Sequence, residues 1–108
     1  MTPQIIAHRG ASYLAPENTL TAFKKAMEIG ADGVEMDVQQ TIDAGLVIHH
    51  DYMIDLHTDI SGKIYDMTMG DLKELDFGSW KGAIFQDEKI ATLQEAMELC
   101  RQMPGCTV

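Results

Sequence analysis

What the sequence lacks narrows its options first. No apolar run approaches the ~20 residues of a membrane span, so no integral membrane segment is expected. The N-terminus has no basic region followed by an apolar stretch, and therefore shows no secretion signal. Cysteine is scarce: Cys100 and Cys106 are the only two. Their spacing matches no metal motif, and without a secretory context they are expected to be reduced thiols in a cytoplasmic protein. Basic residues are few, 8 against 17 acidic ones, which gives a formal net charge of −9. That balance disfavours a nucleic-acid backbone or an anionic membrane surface as the main partner. A phosphate substrate stays open if a metal and a local cation overcome the global field. The sequence has no internal repeat and no low-complexity segment. What is there is ordinary for a soluble globular chain, with 45% hydrophobic and 23% charged residues. Its 108 residues suit one domain with a modest core.

The chain opens with strand-and-helix alternation. Gln4 to Ala7 is a short apolar run that reads as a first buried strand and delivers His8-Arg9-Gly10 at its carboxyl end. Residues 11–18 form a loop, and Asn18 or Thr19 can cap the helix that follows. Leu20, Phe23, Ala26 and Met27 fall at helical spacing, and Gly30 stops the helix. Val34-Glu35-Met36-Asp37-Val38 then alternates apolar and acidic residues as a strand does. Strand, helix and strand with short links imply a right-handed βαβ unit and a parallel sheet. Leu46-Val47-Ile48 is a further β-type run that can form a hairpin arm beside the second strand, and it ends at His49-His50-Asp51. Residues 52–91 differ in texture and read as a loop-rich excursion covering something. One brief helix at about 69–75 is expected there, capped by Thr68 with Leu72 and Leu75 inward. Thr92-Leu93-Gln94-Glu95 is a capping box for a last helix, with Leu93, Ala96, Met97 and Cys100 as its apolar stripe. Pro104-Gly105 ends that helix, and Cys106-Thr107-Val108 looks like the first residues of a third strand.

The chemistry gathers around the acidic strand. Glu35 and Asp37 point to one face, with Cα atoms roughly 6.5–7 Å apart. Like charges that close call for a proton or a cation between them, and hard oxygens suit Mg²⁺ or Ca²⁺. The plain alternative is a half-buried strand with one wet face. His8 and His50 lie at the carboxyl ends of strands, where a parallel α/β barrel keeps its catalytic groups. One neutral and one protonated imidazole can serve as general base and general acid. Arg9 offers a fixed fork that matches phosphate geometry, or else makes a surface salt bridge. His49 faces away from His50 and is expected to be structural. His57 has no obvious partner. A zinc site from these histidines is weakly supported, because no pair has the usual ligand spacing. Phe77, Trp80 and Phe85 are expected to anchor a small core of the excursion rather than close over a substrate.

These residues together resemble the glycerophosphodiester phosphodiesterase family. The matching set is His8-Arg9-Gly10, Pro16-Glu17-Asn18-Thr19, Ala22-Phe23, Gly30-Ala31-Asp32, Glu35-Met36-Asp37-Val38, Thr41, Asp43 and His50-Asp51. Order and spacing agree over essentially the whole chain. The resemblance implies an α/β fold, a partial (β/α)₈ TIM barrel of the phosphatidylinositol-phospholipase-C-like type: the first two βα units plus an insertion at 52–91 between strand 2 and helix 2. It implies metal-dependent hydrolysis of glycerophosphodiesters to glycerol 3-phosphate and an alcohol such as choline, ethanolamine or glycerol. His8 and His50 would be the acid/base pair, Glu35 and Asp37 would ligate Mg²⁺ or Ca²⁺, Arg9 would hold the phosphate, and Glu17 and Asn18 would line the site.

Some positions depart from the family pattern. Ala44 stands where a glycine usually follows Asp43, Leu56 where an arginine often follows Asp55, and Ala91 where a proline commonly precedes the Thr-Leu helix start. A full barrel needs on the order of 200 residues or more. The family's third metal-binding Glu sits on the third strand, which this chain only opens. The expectation is therefore a truncated phosphodiesterase domain over 1–108, inactive or very weak alone and homo-oligomeric if folded, because a partial parallel sheet exposes apolar edges. The rivals are a non-catalytic, barrel-derived binding module and a lysophospholipase D-like enzyme.

Overall fold

A computed structural model describes residues 3–102. Strand β1 (Ile6–His8) pairs in parallel with β2 (Gly33–Glu35), register Ile6 to Gly33 and His8 to Glu35. Helix α1 (Leu20–Glu28) connects them, so the expected βαβ unit is present with a parallel pair. Thr19 is the cap: its hydroxyl oxygen accepts from Ala22 N at 3.2 Å, and Gly30 takes φ 90° just past the helix. Phe23 and Ala26 of the apolar stripe are fully buried, with Leu20 and Met27 packed beside them. The first strand is not buried as expected: Ile5 is 67% and Ile6 46% exposed. Among the described residues only β2 pairs with β1, so its other edge is uncovered.

The acidic pentapeptide is not one strand. β2 ends at Glu35, and β3 (Val38–Gln40) begins a different, antiparallel sheet with β4 (Leu46–Ile48) and β5 (Ala91–Thr92), in the order β3-β4-β5. Met36 and Asp37 are the break between the sheets. His49 N donates to Asp37 O at 2.8 Å and Asp37 N donates to Asn18 Oδ1 at 3.3 Å, so those backbone groups are satisfied outside the ladder. Beyond the break Val38 is exposed, although alternation with Val34 would bury it. The hairpin arm expected for Leu46–Ile48 is observed, and β5 is a strand that local pattern did not reveal.

The antiparallel sheet separates two cores. Successive strand residues point to opposite faces. Ile48 and Ala91 therefore join Phe23, Ala26, Val34, Ala96 and Cys100, while Val47 and Ile90 join Ile54, Ile64, Leu72 and Phe77. The second core lies within the excursion and on the sheet that carries it. Its helix α2 (Met69–Lys73) is shorter than expected but has Thr68 as cap, Asp71 closing the box, Leu72 buried and Leu75 packed beside it. Helix α3 (Leu93–Arg101) starts at the Thr92–Glu95 box. Ala96 and Cys100 are buried, but Met97 is 44% exposed, beside an open surface pocket it shares with Leu46 and Met69. Of Phe77, Trp80 and Phe85 only Phe77 enters the core; Trp80 is 38% exposed and Phe85 is half-buried. Pro104-Gly105 and the third-strand opening at 106–108 lie outside the described residues.

Candidate active site

The turn after β1 is built around Arg9. Arg9 (φ 58°) and Gly10 (φ 79°) both occupy the left-handed region. A Cβ on Gly10 would sit 2.8 Å from the Ala22 backbone, so only glycine lets α1 pack this closely. Strain in a non-glycine residue persists where the surroundings over-determine it. Arg9 N donates to Glu35 Oε1 at 3.2 Å, Nη1 donates to Glu17 Oε2 at 2.7 Å, and Nε lies 3.4 Å from Asp37 Oδ2. The guanidinium is thus clasped between carboxylates on two loops, with its side chain only 21% exposed. Asn18, also left-handed at φ 60°, is buried and donates Nδ2 to Asp37 Oδ2 at 3.0 Å.

His8 joins this cluster from the strand end, its Nε2 3.6 Å from Glu35 Oε1, with an exposed side chain free to meet solvent. Six predicted residues, His8, Arg9, Glu17, Asn18, Glu35 and Asp37, therefore form one connected network. His50 reaches it through the backbone, by way of the His49–Asp37 hydrogen bond. The His50 ring is exposed and shares its Nδ1 with Asp51 Oδ1 at 2.8 Å, and that bond holds the Asp51 carboxyl below the ordinary range. With Nδ1–H given to Asp51, Nε2 is the ring atom left to exchange a proton. An open cavity of about 550 Å³ lies beside it, lined by His50, Asp51, Tyr52, Met53, Asp55 and Leu56.

Three participants were not legible as such. Gln39 Nε2 lies 2.6–3.0 Å from the carbonyl oxygens of His49, His50 and Asp51 and so fixes that loop. Asp51 orients His50. His57, without an obvious partner in sequence, is buried beside Glu17, its Nε2 3.8 Å from Glu17 Oε2. Its ring meets His49 and Trp80 edge-on at 4.8 and 4.6 Å. Burial pushes both His49 and His57 below the ordinary imidazole pKa, against the pull of Glu17 and Asp51. His49 is buried, as a structural residue would be, with Nδ1 2.8 Å from Asp51 O. No local signal marks His57 or Gln39, because their partners are distant in sequence.

Among the described residues no group of three or more His, Cys, Asp or Glu side chains is set to hold a metal ion. Glu35 and Asp37 still fit as part of a hard-cation site. Each turns one oxygen to Arg9 or Asn18, and the other, Glu35 Oε2 or Asp37 Oδ1, takes no hydrogen bond among the described residues.

Comparison with known proteins gives the family of the chain. The model of the glycerophosphoryl diester phosphodiesterase family matches residues 8–106. A glycerophosphodiester phosphodiesterase of Caldanaerobacter subterraneus is 50% identical over 99 residues, 92% of this chain and 41% of that protein. Human glycerophosphodiester phosphodiesterase 1 is 43% identical over 97 residues, 88% of this chain and 29% of that protein. Among solved structures, an Oleispira antarctica phosphodiesterase in complex with the product sn-glycerol-3-phosphate superposes with a TM-score of 0.90 at 48% identity, covering 94% of this chain and 41% of that one. A glycerophosphodiester phosphodiesterase from Agrobacterium tumefaciens gives a TM-score of 0.92 at 33% identity, covering 97% and 46%. The chain thus spans less than half the length of these relatives, and its α/β arrangement is part of their barrel fold.

Proposed function

Because the chain belongs to the glycerophosphoryl diester phosphodiesterase family, we propose that its residues serve hydrolysis of a glycerophosphodiester to glycerol 3-phosphate and an alcohol. The observation that supports this best is the fixed Arg9 fork, pinned at Glu17 and Asp37 beside His8. Arg9 supplies planar donors and positive charge where a phosphate would sit, in a chain that is otherwise strongly acidic. His8 and His50 act as the acid/base pair: one takes the proton of the attacking hydroxyl or water, and the other returns a proton to the leaving alkoxide. Glu17 and Asn18 hold Arg9 and Asp37 in place. Glu35 and Asp37 would hold a divalent cation, Mg²⁺ or Ca²⁺, which when bound neutralises phosphoryl charge and lowers the pKa of the nucleophile. Two carboxylates are few for such an ion, which takes about six or more oxygens, so binding by these residues alone is expected to be weak.

The test is release of choline from glycerophosphocholine by the chain in Mg²⁺ or Ca²⁺, beside His8→Ala and His50→Ala. Slow release that both variants abolish supports the reading. Identical rates in all three proteins leave the non-catalytic binding module in its place. A second reading draws on the cavity beside His50, whose Tyr52 and Leu56 are 73% and 74% exposed. That apolar wall suits an acyl chain carried on the glycerol of the substrate, and preference for lysophosphatidylcholine over glycerophosphocholine would establish it.

Self-association belongs to the same proposal. Ile6, Val38 and Leu46 expose apolar side chains along strands. Light scattering is expected to show assemblies, and a monodisperse monomer would refute them. No helix among the described residues is long and apolar enough to cross a membrane.

A further inference from the structure

Glu17 has one polar neighbour that the proposed chemistry does not use. Its Oε2 accepts from Arg9 Nη1 at 2.7 Å and faces His57 Nε2 at 3.8 Å. No other polar side chain bonds Glu17 among the described residues. The His57 ring cannot easily turn away. His49 and Trp80 meet it edge-on, at interplanar angles of 84° and 90°, and its backbone N donates to Ile54 O at 3.1 Å. Trp80 is itself tied down, with Nε1 donating to Phe77 O at 2.8 Å. The other ring nitrogen, Nδ1, is buried without a hydrogen-bond partner. Among the described residues Glu17 Oε2 is thus the carboxylate oxygen within 4 Å of the ring, with Asp51, Arg9 and His50 acting on it from farther off.

We propose that His57 is a positioning residue: its Nε2–H, set in the slot between His49 and Trp80, faces Glu17 Oε2 and keeps that carboxylate under the Arg9 guanidinium. This rests on the reading that Arg9 holds the phosphate. The tautomer follows from electrostatics. An Nε2 lone pair facing a carboxylate would be repelled, whereas an Nε2–H dipole is attracted. At 3.8 Å the contact is longer than a hydrogen bond, but with the His57 side chain only 9% exposed water screens it little. The excursion, which carries His57, thereby acts on the loop after β1 without touching the phosphate. Its effect should appear in the order of Arg9 and in anion affinity.

The experiment uses the full chain with His57→Phe, which keeps the aromatic packing and removes the donor, and His57→Gln, which keeps a donor. Long-range ¹H–¹⁵N correlation on the wild type is expected to show His57 protonated on Nε2; protonation on Nδ1 alone overturns the proposal. Arg9 Nε–H is expected to exchange with water faster in His57→Phe than in the wild type and His57→Gln, with melting temperatures matched. Equal exchange in all three overturns it as well. Titration with sn-glycerol 3-phosphate should weaken about fivefold in His57→Phe and stay within about twofold in His57→Gln. Unchanged affinity in a folded His57→Phe contradicts the proposal. If the wild type binds no sn-glycerol 3-phosphate, the phosphate reading of Arg9 fails, and the tautomer and exchange measurements still decide the role of His57.

Discussion

The βαβ unit and the excursion solve the same problem by different means. In the first, regular elements bury a stripe: Phe23 and Ala26 of α1 pack on Val34 of β2, with Ala96 and Cys100 of α3 alongside. In the second, a handful of apolar side chains from turns and one short helix, Ile54, Ile64, Leu72 and Phe77, gather under Val47 and Ile90. The candidate site residues at 8–18 and 35–37 lie in the βαβ unit and the loops that leave it, while His50 follows β4 at the border with the excursion. The excursion contributes supports. Glu88 Oε1 accepts from Thr21 N at 3.3 Å and from Thr21 Oγ1 at 2.9 Å, placing a carboxylate at the N-terminus of α1, whose own first turn has no acid. Lys81 Nζ donates to Ser12 O at 3.0 Å, and His57 faces Glu17. The difference shows a division of labour: the ends of the strands deliver the site residues, and the loop-rich excursion braces the segments that carry them.

The largest expected effect breaks that comparison open. Phe23→Ala should cost about 3–5 kcal/mol and, because Ile48 and Ala91 share its core, loosen the sheet that seats the excursion as well. Leu72→Ala should cost about 2–5 kcal/mol and act locally, since its core hangs beneath the sheet. Hydrogen exchange checks this. Phe23→Ala is expected to lower protection everywhere, and Leu72→Ala chiefly between residues 54 and 90. Equal loss at the amides of α1 and β2 in Leu72→Ala would make the two regions a single cooperative unit.

A smaller effect comes from pH. His49 and His57 line the seam, both held below the ordinary imidazole value of 6.5 first by burial. A depressed folded-state pKa means that the unfolded chain binds protons first. Stability is then full above about 6.5 and is lost as pH falls from there toward the folded values. Asp51, held low by its bond to His50, and Asp43, held low by Thr41, add loss only below the ordinary carboxylate range, near 4. Melting temperature should therefore drop between pH 7 and 5 and again below 4. A flat profile from 7 to 5 would show that the seam histidines are not the neutral, buried groups described.

How much the sequence disclosed follows the same line. Phe23 and Ala26 of the α1 stripe, the Thr19 cap and the Thr68 and Thr92 boxes were readable because their signals repeat within a turn or two of helix, whereas the residues around Arg9, whose partners lie 8 to 26 residues away, were found by strand-end position and by resemblance. The break at Met36-Asp37 was not, because it comes from the competition of two sheets for one segment, and hydrophobic alternation continues straight through it. β5 is two residues long and shows itself only through β4. His57 and Gln39 act on partners brought near by the folded chain alone. The roles of His8 and His50 came from position and resemblance, and the structure adds Asp51 as the orienter of His50.

The account turns on Arg9 as the phosphate holder, fixed by Glu17, Glu35 and Asp37. Titration of sn-glycerol 3-phosphate into the chain in Mg²⁺ or Ca²⁺, beside Arg9→Ala with a matched melting temperature, tests it most directly. Saturable binding that weakens about tenfold or more in the variant is the predicted result. Equal binding by the two proteins, or none by the wild type at millimolar ligand, would contradict it.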